Sequence, residues 1–188
     1  MWPKSFWYRV YEPFIRKAAG LGVASLEKDN ERYDHKYEYC DLLVTGSGPA
    51  GLSSAYAAAK NGAKVILAED KPRFGGSLLT DNVTIDNLSG KEWANKIISE
   101  LKAMPNVIVK NRSQVFGYYD HNMMVMFEKT GDHLEKKSKF TPRQRLWYIR
   151  AKEVLLSTGS IERPIVFGNN DTPGVFLSAA AKEYMKVY

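Results

Sequence analysis

The residues of this chain whose types and spacing have a chemical reading are Gly46, Gly48 and Gly51, within Thr45-Gly46-Ser47-Gly48-Pro49-Ala50-Gly51, and Glu69, 23 positions after the first glycine. The glycines spell G-x-G-x-x-G, a pattern that holds a dinucleotide pyrophosphate when it follows a strand and opens a helix. Gly46 is expected to make the tight turn, Gly48 to let the backbone approach the phosphates, and Gly51 to let helix and strand pack closely. The helix then aims free N–H groups and the positive end of its dipole at the phosphate charge. Pro49 suits the first helical position, where no N–H donor is needed. Glu69 falls where the pattern expects a carboxylate to accept the adenosine ribose hydroxyls, although a strand-end carboxylate meeting solvent has the same spacing. Glu69 and Asp70 together repel a 2′-phosphate and favour NAD or FAD over NADP; Lys71 and Arg73 moderate that preference. Gly75-Gly76-Ser77 offers a second close approach, with the Ser77 hydroxyl available to phosphate or ribose. These groups bind and orient. No catalytic residue is assigned.

The elements that must position them follow from periodicity. Residues 39–45 form an apolar run suited to a buried parallel strand, residues 49–60 an alanine-rich helix stopped by Asn61-Gly62, and residues 64–68 a second strand. Residues 90–104 predict an amphipathic helix with Trp93, Ile97, Ile98 and Leu101 on one face, followed by a third parallel strand at 107–109. Residues 114–119 and 123–128 alternate as a hairpin around Asp120-His121-Asn122, and 146–150 adds a third antiparallel strand. Residues 153–159 return as a buried strand beside the first, which puts Thr158 and Gly159 beneath the pyrophosphate. A loop (160–174) and a helix (177–187) follow. The expected fold is α/β: a Rossmann-like parallel sheet of the two-dinucleotide-binding flavoprotein type, with a three-stranded antiparallel meander inserted. In that fold the backbone near Val115 lies beside the adenine ring.

Residues 1–38 read as an arm. Trp2, Phe6, Trp7, Tyr8, Tyr11 and Phe14 make it aromatic, residues 11–19 predict a short helix, and residues 27–38 a charged, exposed connector. Residues 39–188 are the dinucleotide-binding domain, expected to be incomplete, because no second G-x-G-x-x-G domain follows.

At 188 residues, 44% hydrophobic and 26% charged, the chain has the composition of a soluble globular protein with a real core. The net charge of +6 comes from 27 basic and 21 acidic residues that are mostly interspersed, which argues against nucleic acid. The exception is Lys136-Lys137-Ser138-Lys139 with Arg143, Arg145 and Arg150, read as a loop or a docking surface for an acidic partner. Cys40 stands alone, so an internal disulfide and a redox-active cysteine pair are both excluded. His35, His121 and His133 lack metal-ligand spacing, and no apolar run is long enough for a membrane span.

Several stretches together resemble the alpha subunit of heterotetrameric sarcosine oxidase. They are Tyr11-Glu12-Pro13-Phe14-Ile15-Arg16-Lys17-Ala18-Ala19-Gly20-Leu21-Gly22, the Gly46–Gly51 turn, Gly75-Gly76-Ser77-Leu78, the run from Arg145 to Pro164, and Asn170-Asp171-Thr172-Pro173-Gly174-Val175. The chain departs from that pattern at Ser157, where alanine is usual, and at Glu69, where aspartate is common. The resemblance implies a cytoplasmic enzyme that oxidises sarcosine to glycine at a covalent flavin in the beta subunit. Tetrahydrofolate captures the one-carbon unit, or it leaves as formaldehyde. Electrons pass to FMN between alpha and beta, oxygen becomes hydrogen peroxide, and zinc belongs to the delta subunit. The amine substrate is bound by another chain, and the partners are the beta, gamma and delta subunits, with no nucleic acid and no membrane. The alpha nucleotide site holds NAD. Its contacts would be Gly46, Gly48, Pro49, Ala50, Gly51, Glu69, Asp70, Lys71, Gly76, Ser77, Val115, Thr158 and Gly159. Two other readings stand beside it: a FAD-binding subunit of a related proline, opine or amino-acid dehydrogenase, and a non-enzymatic dinucleotide-binding fragment. The isolated chain is expected to be inactive.

Overall fold

The computed structural model describes residues 3–22 and 25–188. The chain divides into two compact units, Met1–Glu31 and Arg32–Tyr188. In the first, a 3-10 turn (Lys4–Phe6) and a π-helical turn (Trp7–Tyr11) lead into α1 (Glu12–Ala18). Pro13 occupies the first turn of α1, where its missing N–H costs nothing, and Glu12 pairs with Arg16 one turn on. Phe6, Trp7, Tyr8 and Phe14 are exposed. Trp2 lies outside the described residues.

The second unit runs β1 (Tyr33–Thr45), α2 (Pro49–Lys60), β2 (Val65–Ala68), a short hairpin of β3 (Thr84–Ile85) and β4 (Leu88–Ser89), α3 (Gly90–Ala103), β5 (Val107–Lys110), β6 (Ser113–Tyr119), β7 (Met123–Lys129), β8 (Gln144–Leu156) and α4 (Ser178–Lys186). Six strands form one mixed sheet in the order β5-β2-β1-β8-β7-β6. The pairs β5·β2, β2·β1 and β1·β8 are parallel, whereas β8·β7 and β7·β6 are antiparallel.

Two expectations need correction. The first strand starts at Tyr33, inside the segment read as a connector. Its first half alternates Tyr33, His35, Tyr37 and Tyr39 with Asp34, Lys36 and Glu38, the two-residue period of a half-buried strand, and it pairs with β8 from Tyr33↔Gln144 onward. The strands expected at 146–150 and 153–159 are one continuous strand, β8. Its first half pairs with both β1 and β7, and its second half with β1 after β7 has ended. The three-stranded antiparallel meander is thus present as expected, and through β8 it shares one sheet with the parallel strands.

The hairpin β3–β4 turns at Asp86-Asn87, both at positive φ (51° and 63°), as a two-residue turn that matches strand twist requires. Ser89 then caps α3: its hydroxyl accepts the Glu92 N–H at 3.3 Å while the Glu92 carboxylate accepts the Ser89 N–H at 3.0 Å.

The core lies on both faces of the sheet. On one, Leu52, Ala55 and Ala59 of α2 and Trp93, Ile97, Ile98 and Leu101 of α3 pack on Val44, Val65 and Leu67. On the other, Cys40, Leu43 and Ile66 meet Met124, Met126, Trp147 and Ile149 of the meander. Each fully buried large aliphatic side chain stabilises the fold by about 1.5–3 kcal/mol. Trp147 is buried because its indole N–H has a partner, Glu128 Oε2 at 2.6 Å, and Glu128 in turn accepts Lys110 Nζ at 2.9 Å. Burial pushes the Cys40 thiol up to about 12, so it is an inert packing residue. The arginines beyond the Lys136–Lys139 run are engaged: Arg143 with Asp132, Arg145 with Asp34 and Arg150 with the carbonyls of Asp120 and His121.

Candidate functional site

At the C-terminal ends of β1, β2 and β8, residues that are far apart in sequence line one cleft of about 1050 Å³. Gly46 leaves β1 with φ +100°, and its N–H donates to Ala68 O at 2.8 Å. A side chain there would also be driven into the Ser157 carbonyl, so glycine is required twice over. Gly48 is the N-cap of α2 and supplies no side-chain cap, and a Cβ built on it meets nothing within 4 Å. The backbone is thus open to a ligand at Gly48 and closed at Gly46. Pro49 and Ala50 begin α2 at the cleft wall. Gly51 is buried behind them, where a Cβ would collide with the Gly46 carbonyl oxygen and stand 2.7 Å from Ser157 Oγ. Ser157 Oγ donates to the carbonyls of Thr45 at 2.9 Å and Gly46 at 3.0 Å, which ties the end of β8 to the turn.

Glu69 follows β2 and is almost fully buried. Its Oε2 accepts the Ser47 N–H at 2.9 Å and the Ser47 hydroxyl, and its Oε1 accepts the Lys71 N–H at 3.0 Å. Burial and the neighbouring Asp70 carboxyl push its proton affinity up, against those hydrogen bonds. Asp70 is exposed at the rim. Lys71 pairs with Glu183 of α4 at 2.9 Å, which raises the lysine's proton affinity, and Arg73 donates to Val187 O with its guanidinium 5.6 Å from the Tyr188 ring centroid.

Gly76, at φ +53°, abuts the first turn, since a Cβ there would stand 3.0 Å from Gly48 Cα. Ser77, Val115, Thr158 and Gly159 complete the lining. Every residue assigned to the site from sequence therefore borders this cleft, except Gly51, which forms the wall behind it.

Three features were not foreseen. Ser47 is fully buried at the first variable position of the motif, where a hydroxyl among glycines was the available signal. Thr45 lines the cleft, and its Oγ1 is buried without a hydrogen-bond partner among the described residues. The third is α4, which is fastened along the cleft by Lys71–Glu183, by Lys182–Asp81 at 3.3 Å and by Glu162, whose carboxylate accepts the Ala179 N–H at 2.9 Å. Nothing local in the sequence announces those pairings.

The donor set fits the adenosine-pyrophosphate half of a dinucleotide. It offers an uncapped helix start beside an open glycine, an orphan buried hydroxyl, and a carboxylate just after β2. Among the described residues no group of three or more His, Cys, Asp or Glu could hold a metal, and no helix is long and apolar enough to cross a membrane.

Residues 41–130 match the family described as FAD dependent oxidoreductase. Over 188 residues, 100% of this chain, it is 45% identical to sarcosine oxidase subunit alpha of Rhizobium meliloti (strain 1021), and it spans 19% of that protein. It is 39% identical over 169 residues to sarcosine oxidase subunit alpha of Corynebacterium sp. (strain U-96), covering 89% of this chain and 18% of that one. Among solved structures, L-proline dehydrogenase from P. horikoshii shares the fold, with a TM-score of 0.64 and 24% identity over 87% of this chain and 31% of that one. The chain thus spans about a fifth of the length of these curated relatives.

Proposed function

We infer, for a chain homologous along its whole length to the alpha subunits of sarcosine oxidase, that it supplies the dinucleotide-binding part of such a subunit and that the nucleotide is NAD. One observation supports dinucleotide binding here above others: the glycine turn, Glu69, the Gly75–Gly76 loop and the end of β8 converge on a single cleft that is open at Gly48. Within it, the N–H groups at the start of α2 would receive the pyrophosphate. Glu69 would accept ribose hydroxyls through Oε1, which accepts the Lys71 N–H and has acceptor capacity left over. Gly76 and Ser77, with Thr158 and Gly159, would flank the phosphates, and Val115 the adenine. Asp70 and Lys71 would stand at the ribose rim.

A bound dinucleotide would supply hydride-transfer chemistry, and this chain's residues would bind and orient it. The assembled enzyme would comprise beta, gamma and delta subunits in the cytoplasm. Sarcosine oxidation to glycine, with FMN, covalent flavin, tetrahydrofolate, zinc and the formation of hydrogen peroxide, belongs in this reading to parts outside the chain. A second reading has FAD in the same half-site, favoured by the match of residues 41–130 to FAD dependent oxidoreductases. The two share the adenosine pyrophosphate, so the geometry of this half-site serves both.

The test is to purify the chain, denature it, and identify the released nucleotide by absorbance and mass. NAD is the expected result, and no glycine should form from sarcosine with this chain alone. FAD would move the assignment to the second reading. A chain that carries no nucleotide and takes up neither on soaking would overturn both.

A further inference from the structure

We propose that Ser47 is the positioning residue that aims Glu69 at the adenosine ribose, so that a hydroxyl in the glycine turn sets the site's discrimination between a ribose 2′-hydroxyl and a 2′-phosphate. The inference rests on the dinucleotide reading above but not on the choice between NAD and FAD, because it concerns the half they share.

Ser47 has no solvent exposure, and a hydroxyl in that position must find partners within the protein. It finds two. It donates to Glu69 Oε2 and accepts the Gly75 N–H at 3.1 Å. One oxygen therefore joins the turn after β1, the carboxylate after β2 and the loop of the second glycine pair. The Ser47 backbone N–H adds a bond to the same Oε2, so both Ser47 donors hold one carboxylate oxygen. The other, Oε1, has the Lys71 N–H at 3.0 Å and keeps acceptor capacity for a ligand. The hydroxyl also favours the ionised form of a carboxylate whose burial works in the opposite direction. Loss of the hydroxyl leaves the second loop attached, since the Gly75 N–H also reaches the Ser47 carbonyl at 3.1 Å. The effect should therefore fall on Glu69 rather than on the turn.

The probes are ADP-ribose and 2′-phospho-ADP-ribose, titrated calorimetrically into the full chain and its Ser47→Ala variant. ADP-ribose affinity should fall about tenfold, as expected for a lost bond to a charged group, while 2′-phospho-ADP-ribose binds as well as before or better. Ser47→Cys, which keeps the volume and donates weakly, should behave like Ser47→Ala. In a Glu69→Ala background, Ser47→Ala should cost less than about twofold more, because a residue acting through Glu69 has nothing left to aim. Equal losses for both probes, or an undiminished effect without Glu69, would make Ser47 a structural part of the turn and overturn the proposal. If the unmodified chain binds neither probe, the dinucleotide reading itself fails, an outcome separated from the others by the unmodified chain alone.

Discussion

Gly51 in the first turn of α2 lies against the carbonyl of Gly46, with no room for a methyl group between them. The same added carbon would stand 2.7 Å from Ser157 Oγ, so helix, turn and β8 meet at one point. This contact fixes the distance between helix and sheet, and with it the position of the helix N-terminus over the cleft. Two of the atoms that would have to move are backbone, which cannot rotate away. Gly51→Ala should therefore destabilise the chain by about 3 kcal/mol or more, at or beyond the upper end for overpacking. Urea unfolding measures it; a loss below about 1 kcal/mol would show that α2 can lift without penalty.

The cations beside Glu69 in the cleft are already committed. Lys71 pairs with Glu183, and Arg73 with the Val187 carbonyl, both at the far end of the chain. These bonds remove the charges that would welcome a 2′-phosphate. Glu183→Gln should free Lys71 and raise the affinity for 2′-phospho-ADP-ribose about threefold at low salt, with ADP-ribose unchanged. The Lys71 side chain is half-exposed, so the stability cost should stay below about 1 kcal/mol. Titration of both probes at two salt concentrations decides it, because a gain shared by the two would mean that α4 had simply opened.

How much of this site was legible in the sequence differs by element. The turn, the Gly75–Gly76 loop and the carboxylate after β2 were readable, because each has local chemistry: a glycine where φ is positive, or an acid at a strand end. The early start of β1 was also readable, in the alternation of tyrosines with charges from Tyr33 to Tyr39, but the charge density suggested a connector. The unity of β8 was not, since Lys152-Glu153 looks like a break, and the strand persists because β1 pairs with it on both sides of those residues. The placement of α4 was least legible of all. Besides the bond from Ala179 to Glu162, it depends on ion pairs and hydrogen bonds to residues roughly a hundred positions earlier, which no local pattern specifies.

Asp41 should carry part of the chain's acid sensitivity. Lys152 Nζ at 2.8 Å, the Lys64 N–H at 2.8 Å and the Tyr39 hydroxyl at 3.0 Å hold its carboxyl down to about 2, from 3.8. A depressed carboxylate contributes stability that is present above its unfolded value and lost as pH falls through its folded one. The contribution should thus be complete above about pH 4 and fade towards pH 2. Thermal midpoints of the chain and of Asp41→Asn, followed from pH 6 to pH 2, should differ most at the upper end and converge at the lower. A constant gap would place the role of Asp41 in its shape rather than its charge.

Gly48 separates binding from folding. Its φ of −67° and ψ of −176° suit any residue, and a Cβ there projects into open space. Alanine is a poorer helix N-cap than glycine by about 1 kcal/mol, so Gly48→Ala should lose no more than about 1–2 kcal/mol of stability, well short of the loss at Gly51. The new methyl group would nevertheless occupy the approach over which a pyrophosphate must come within hydrogen-bonding distance of the helix N–H groups. Binding of ADP-ribose should fall by about two orders of magnitude or more, the scale set by losing charge-assisted bonds to the helix start. Gly51→Ala, by contrast, should lose stability first and binding as a consequence. Calorimetric titration paired with urea unfolding distinguishes the two glycines. If Gly48→Ala bound ADP-ribose as tightly as the unmodified chain, the pyrophosphate could not lie against this turn, and the dinucleotide assignment would have to be given up.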